Sequence, residues 1–104
     1  MTARYWNAKY EWYAHAKLAA KAGLGSDLIL DIENGKRPGK MNGDEGAIYD
    51  FCIQLHESKE VSDAAFQAVL GRFGEHGVAD LLGVSGYYTL VSMVLNVDRT
   101  PVPR

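Results

Sequence analysis

YEWYAHAKLAAKAGL, Tyr10–Leu24, reads as helix from end to end. Alanine, lysine and leucine dominate it, all strong helix formers, and no glycine or proline intervenes before Gly23. Gly23 is free to take the left-handed conformation that closes a helix. The same register extends backward to Thr2, so the pattern predicts a first helix over Thr2–Ala22. At about 100° per residue, Arg4, Ala8, Glu11, His15, Leu18 and Ala22 fall on one side, while Lys9, Tyr13, Lys17 and Lys21 fall opposite. The small and apolar members of the first set mark it as the packed face. Glu11 and His15 are then inward-pointing i, i+4 neighbours, close enough to touch.

Outward from this stretch the helical punctuation repeats. Ser26 is positioned to cap a short helix, SDLILDIEN, that stops at Asn34-Gly35. KRPGKMNG is the obvious loop. A third helix is predicted from near Asp44, with Ala47, Ile48, Phe51, Cys52 and Leu55 at three- and four-residue steps. Ser62 caps a fourth, SDAAFQAVLGRFG, with Val61 placed to staple onto Phe66. His76-Gly77 reads as the turn into a last helix that is apolar nearly all round, the pattern of a central buried element. Gly83 and Gly86 on it would admit a close backbone. No strand alternation is visible. The expected fold is all-α, an orthogonal or antiparallel bundle of about five helices, in a single domain over residues 1–104.

Composition narrows the function classes. The apolar fraction, 47%, excludes disorder, and in a domain of this size it points to some apolar surface shared with a partner chain. Net charge is −2 with no basic stripe, which argues against a nucleic-acid partner. Val78–Val97 is the only stretch resembling a membrane span; its Asp80, Asn96 and two tyrosines favour a buried helix instead, so no membrane partner is expected. Cys52 is the single cysteine, so neither an internal disulfide nor a CxxC pair is available. With an aromatic and charged amino terminus unlike a secretory signal, the expected compartment is the reducing cytoplasm.

The chemistry-bearing feature is the pair Glu11 and His15. A carboxylate beside an imidazole in a partly dry setting suits proton transfer, and it equally suits a structural pair that pins helix register. Arg4, nearly two turns back, is placed either to hold an anionic group or to neutralise Glu11. His56 reads as a solvated cap at a helix end and His76 as local capping in a turn. Three histidines without ligand spacing predict no metal site, and no cofactor is implied. Cys52, inside an apolar stripe, reads as an inert core thiol. Tyr5, Trp6, Tyr10, Trp12 and Tyr13 crowd one helix and suit an interface, a core wall or the lining of an apolar pocket.

YEWYAHAKLAAKAGL, the short capped helix after it and DLLGVSGYYTLVSMVLN together resemble the carboxymuconolactone decarboxylase family, which is similar in fold to the alkylhydroperoxidase D proteins. The resemblance spans Tyr5 to about Val97. It implies an all-helical domain, a homo-oligomer (trimer or hexamer), and a small carboxylated lactone or related acid as substrate. The peroxidase branch carries Cys-x-x-Cys-x-x-x-His; aligning its histidine with His15 puts Ala8 and Glu11 at the cysteine positions. That branch also carries a glutamate at a position that would precede Met1. Thiol peroxide reduction therefore lacks its nucleophile here. The decarboxylase branch has a glutamate four residues before its histidine, so only Glu11 and His15 inherit a catalytic role from the resemblance. Many such relatives are longer, with helices before the equivalent of Tyr5; the expectation is either a shortened member or a naturally compact one that uses a neighbouring subunit as its missing wall. A non-catalytic oligomeric bundle of the same family is the alternative.

Overall fold

The computed structural model describes residues 1–102. Five helices run in order: α1 Thr2–Tyr5, α2 Lys9–Lys21, α3 Ser26–Glu33, α4 Gly43–Ser58 and α5 Asp63–Asp98. No strand occurs among the described residues, and the all-α expectation holds. The predicted first helix is two pieces. Asn7 takes a left-handed backbone, φ 53°, and breaks Thr2–Ala22 between Trp6 and Ala8. Asparagine tolerates that conformation better than other residues with a Cβ, because its short polar side chain bonds locally.

The later boundaries follow from capping chemistry. Asn42 accepts from the Glu45 amide while the Glu45 carboxylate accepts from the Asn42 amide, a reciprocal box that starts α4 at Gly43, one residue before the expected Asp44. Ser62 caps α5 through the Ala65 amide, as its position implied. Ser26 is the first residue of α3 and makes no capping bond; Gly25 takes the cap position. The expected staple does not form as drawn: Val61 packs against the core, but Phe66 stays exposed.

The core is small. Ala47, Phe51 and Cys52 from α4 meet Val69 from α5, with Leu55, Val61, Val78 and Leu81 packed around them. Ile48, expected in that stripe, is exposed. Burial pushes the Cys52 thiol above its ordinary pKa, with a weaker opposing pull from the Ser85 hydroxyl. A folded-state pKa above the unfolded one means Cys52 contributes stability that is fully present below the unfolded value, about 8.5, and lost as pH rises through the folded value. Wild-type protein should therefore lose stability more steeply above about pH 8.5 than Cys52→Val. Urea unfolding midpoints compared across the alkaline range check this; parallel pH slopes for the two proteins would refute it.

The last helix departs most from expectation. α5 spans 36 residues, but Gly74 breaks it with φ 73° and ψ −176°, a conformation essentially reserved to glycine. The break falls at Gly74, not at His76-Gly77, and His76 is exposed on the helix that follows. That helix is not a buried central element. Val78, Leu81, Ser85, Tyr88, Ser92 and Leu95 recur at three- and four-residue spacing as its inner stripe, and only the two serines are fully buried. Leu90, Val94 and Val97 face outward at 59%, 58% and 85% exposure. By length and composition alone α5 could cross a membrane, yet only 11% of its most apolar window is buried within the chain.

Candidate functional site

Glu11 and His15 lie on successive turns of α2, and the i, i+4 spacing brings them into contact. Glu11 Oε1 lies 2.5 Å from His15 Nε2. Their surroundings differ: the Glu11 side chain is 6% exposed and the His15 side chain 43%. The pair thus runs from the interior to the surface, with the carboxylate inside and the imidazole at the rim. With Glu11 ionised, Nε2–H donates to it, and the other ring nitrogen, Nδ1, is left to exchange protons outside the pair.

The second carboxylate oxygen, Glu11 Oε2, is buried without a hydrogen-bond partner among the described residues. Ser92 Oγ is in the same condition. Two contacts join the chain's first residues to α5. The His15 ring packs edge-on with Tyr88 at a centroid separation of 4.9 Å, and Asn96 Nδ2 donates to the Trp6 carbonyl at 2.7 Å. Buried polar groups normally find partners, and Glu11 Oε2 and Ser92 Oγ are exceptions among the described residues.

The packed face predicted on α2 is real only at its start. Ala8 and Glu11 are buried, whereas Leu18 and Ala22 are exposed. Arg4 does not serve Glu11: its Nε donates to the Glu33 carbonyl at 2.6 Å, tying α1 to the end of α3. His56 is not a solvated cap. It is buried, its Nδ1 bonds the Cys52 carbonyl at 2.6 Å, and its Nε2 pairs with Thr2 Oγ1 at 3.1 Å. Cys52 is buried as expected. No cluster of three or more metal-ligating side chains gathers among the described residues.

Tyr88 is the site neighbour that sequence reasoning missed. A signal was present: small polar residues seven apart, Ser85 and Ser92, in an otherwise apolar helix mark the side that faces the body of the chain.

The hollows described do not open on the pair. The roomiest, about 640 Å³, lies against Lys9, Trp12, Tyr13 and Lys17 of α2 and is lined by neither Glu11 nor His15. Another, about 420 Å³, is lined by Tyr5, His56, Lys59 and Ser85.

No family model matches the chain, and no solved structure matches it. Among curated proteins it is 38% identical over 53 residues to the orotidine 5'-phosphate decarboxylase of Leptothrix cholodnii. That alignment covers 51% of this chain and 19% of that protein, too little of either to place this chain in a family.

Proposed function

We propose that the protein is a cofactor-free acid–base catalyst of the carboxymuconolactone decarboxylase type, acting on a small carboxylated lactone or related acid, with Glu11 and His15 as its catalytic residues. The observation that carries this reading is the half-satisfied carboxylate: Glu11 binds His15 through one oxygen and leaves the other, buried one without a partner among the described residues. A purely structural pair would satisfy both oxygens, because an unpaired buried acceptor costs about 1–3 kcal/mol.

The chemistry divides between the two residues. Glu11 orients the imidazole through its contact with Nε2. As the substrate's carbon–carboxylate bond breaks, its electron pair enters the conjugated lactone to give an enolate. The His15 imidazolium then delivers a proton from Nδ1 to the carbon, carbon dioxide leaves, and solvent reprotonates the ring at the rim. The likeness to another decarboxylase is compatible with lyase chemistry in general and says nothing of a lactone.

The same reading makes the chain a homo-oligomer, a trimer or hexamer, working in the cytoplasm. A neighbouring subunit would supply the wall that this chain lacks beside the half-exposed His15.

Turnover of a carboxylated muconolactone tests the proposal. Glu11→Gln and His15→Gln should each lower kcat by about 10²–10⁴-fold with little change in KM. Full turnover in both folded variants would make the pair structural. One observation favours that second reading, a non-catalytic oligomerising bundle: Glu11 lines none of the hollows described within a single chain. Thiol peroxide chemistry finds no support, since the lone Cys52 is buried and held as the thiol.

A further inference from the structure

The 640 Å³ hollow beside α2 has the size of a small-molecule site, and its lining has a definite chemistry. Lys9, Trp12, Tyr13 and Lys17 come from one side of α2, Arg4 from α1 and Glu33 from the end of α3. On the helical wheel Lys9, Tyr13 and Lys17 lie across the axis from Glu11 and His15, and neither member of the acid–base pair lines the hollow.

Three cations surround it, and none forms an ion pair with an acid among the described residues. The ion pairs found are His15–Glu11, Arg37–Asp50, Lys40–Asp27 and Arg72–Asp44. Arg4 uses Nε on a backbone carbonyl, which fixes its guanidinium at the edge of the hollow without neutralising it. Lys17 donates to the Tyr13 hydroxyl at 2.7 Å, with Nζ 4.1 Å from the centre of that ring. It is thereby parked at the rim with its charge intact. Glu33 is the single acid in the lining. A local excess of positive charge in a chain of net charge −2 is a reversal of the whole-molecule field.

The remaining walls are flat and apolar. Trp12 and Tyr13 present two aromatic side chains, and Ala3, Ala8 and Ala16 leave depth between the helices because their side chains are short. Three cations without an ion pair, outnumbering the one acid of the lining and set around aromatic walls, select a ligand with a flat apolar body and an anionic end.

We propose that this hollow binds a small planar organic anion, an aromatic carboxylate, with its ring against Trp12 and Tyr13 and its carboxylate towards Arg4 and Lys9. The site does not rest on the acid–base reading, and the two fail separately.

Benzoate is the probe, with benzamide as its uncharged counterpart, in the full-length protein. Binding is followed by calorimetry and by the Trp12 indole N–H resonance, assigned with Trp12→Phe. Benzoate should shift that resonance saturably and bind at least about tenfold more tightly than benzamide. Lys9→Ala and Lys17→Met, both at exposed positions, should each weaken benzoate, and the double variant by about tenfold or more. His15→Gln should leave it unchanged. Equal binding of benzamide, no saturable shift, an unaffected double variant, or displacement of benzoate by an equal concentration of inorganic phosphate would each overturn the proposal. Loss of benzoate binding in His15→Gln would also overturn it, by joining the hollow to the pair.

Discussion

Glu11→Leu should abolish turnover and leave the fold as stable as wild type or more stable, by about 1 kcal/mol. In wild type, folding places a carboxylate in the interior with one oxygen unpartnered, a standing cost. Leucine is of similar length, removes both the charge and the unmet acceptor, and leaves His15 with an imidazole that is half exposed and can be hydrated. For a chain of this size 1 kcal/mol corresponds to a rise of about 4–8 °C in Tm. The opposite substitution behaves differently. His15→Leu strips the buried carboxylate of its only partner and should destabilise by about 3 kcal/mol at neutral pH, since a buried charge is then uncompensated. This asymmetry separates the two readings of the pair. A register-pinning pair predicts that losing either member lowers stability; a functional pair predicts that losing Glu11 helps the fold and ends the chemistry. Thermal melts of the two variants beside a turnover assay measure it, and a clear drop in Tm for Glu11→Leu would sink the functional reading.

The pair was legible in the sequence because its geometry is local. An i, i+4 spacing on an alanine-rich helix brings two side chains together whatever the rest of the chain does. Its cross-helix neighbour was not legible, because Tyr88 lies far along the chain and nothing in α2 encodes the register in which α5 arrives. The helix count was readable from caps and glycines, but not which glycine bends the backbone. Gly74 takes the left-handed φ, while Gly77 stays helical, where a Cβ would run into Phe73. Both glycines are required there, for different reasons, and periodicity cannot tell them apart. The split at Asn7 carried a weak signal in the residue itself, overridden by the strong helical register on both sides. The largest misreading concerned α5. Averaged hydrophobicity marks a helix as apolar without saying what covers it, and the inner stripe here is the more polar one.

That inversion leads to an expected change of assembly state: wild-type chains should run at three or six times the 11.4 kDa chain mass, and Leu90→Asp/Val94→Asp should run as the single chain. Among the described residues, fourteen large apolar side chains are exposed against nine apolar residues that are buried, so the isolated fold leaves much apolar surface uncovered. Soluble monomers rarely tolerate a contiguous exposed apolar patch beyond a few hundred Å². Leu82, Leu90, Met93, Val94 and Val97 lie on the outward part of one helix, where copies of α5 packed about a symmetry axis would bury them together. Two aspartates set one turn apart at the centre of such a contact would be desolvated beside their own copies, and losses of 2 kcal/mol or more per central residue dissolve a typical interface. On the free chain both positions face water, so the variant should fold as wild type does by circular dichroism. Light scattering gives the mass. A bilayer is the competing cover for this face, since α5 is long and apolar enough to enter one. A wild-type chain that is monomeric without lipid and sediments with phospholipid vesicles would replace the oligomer with a membrane, and would remove the neighbouring wall that the half-exposed His15 needs.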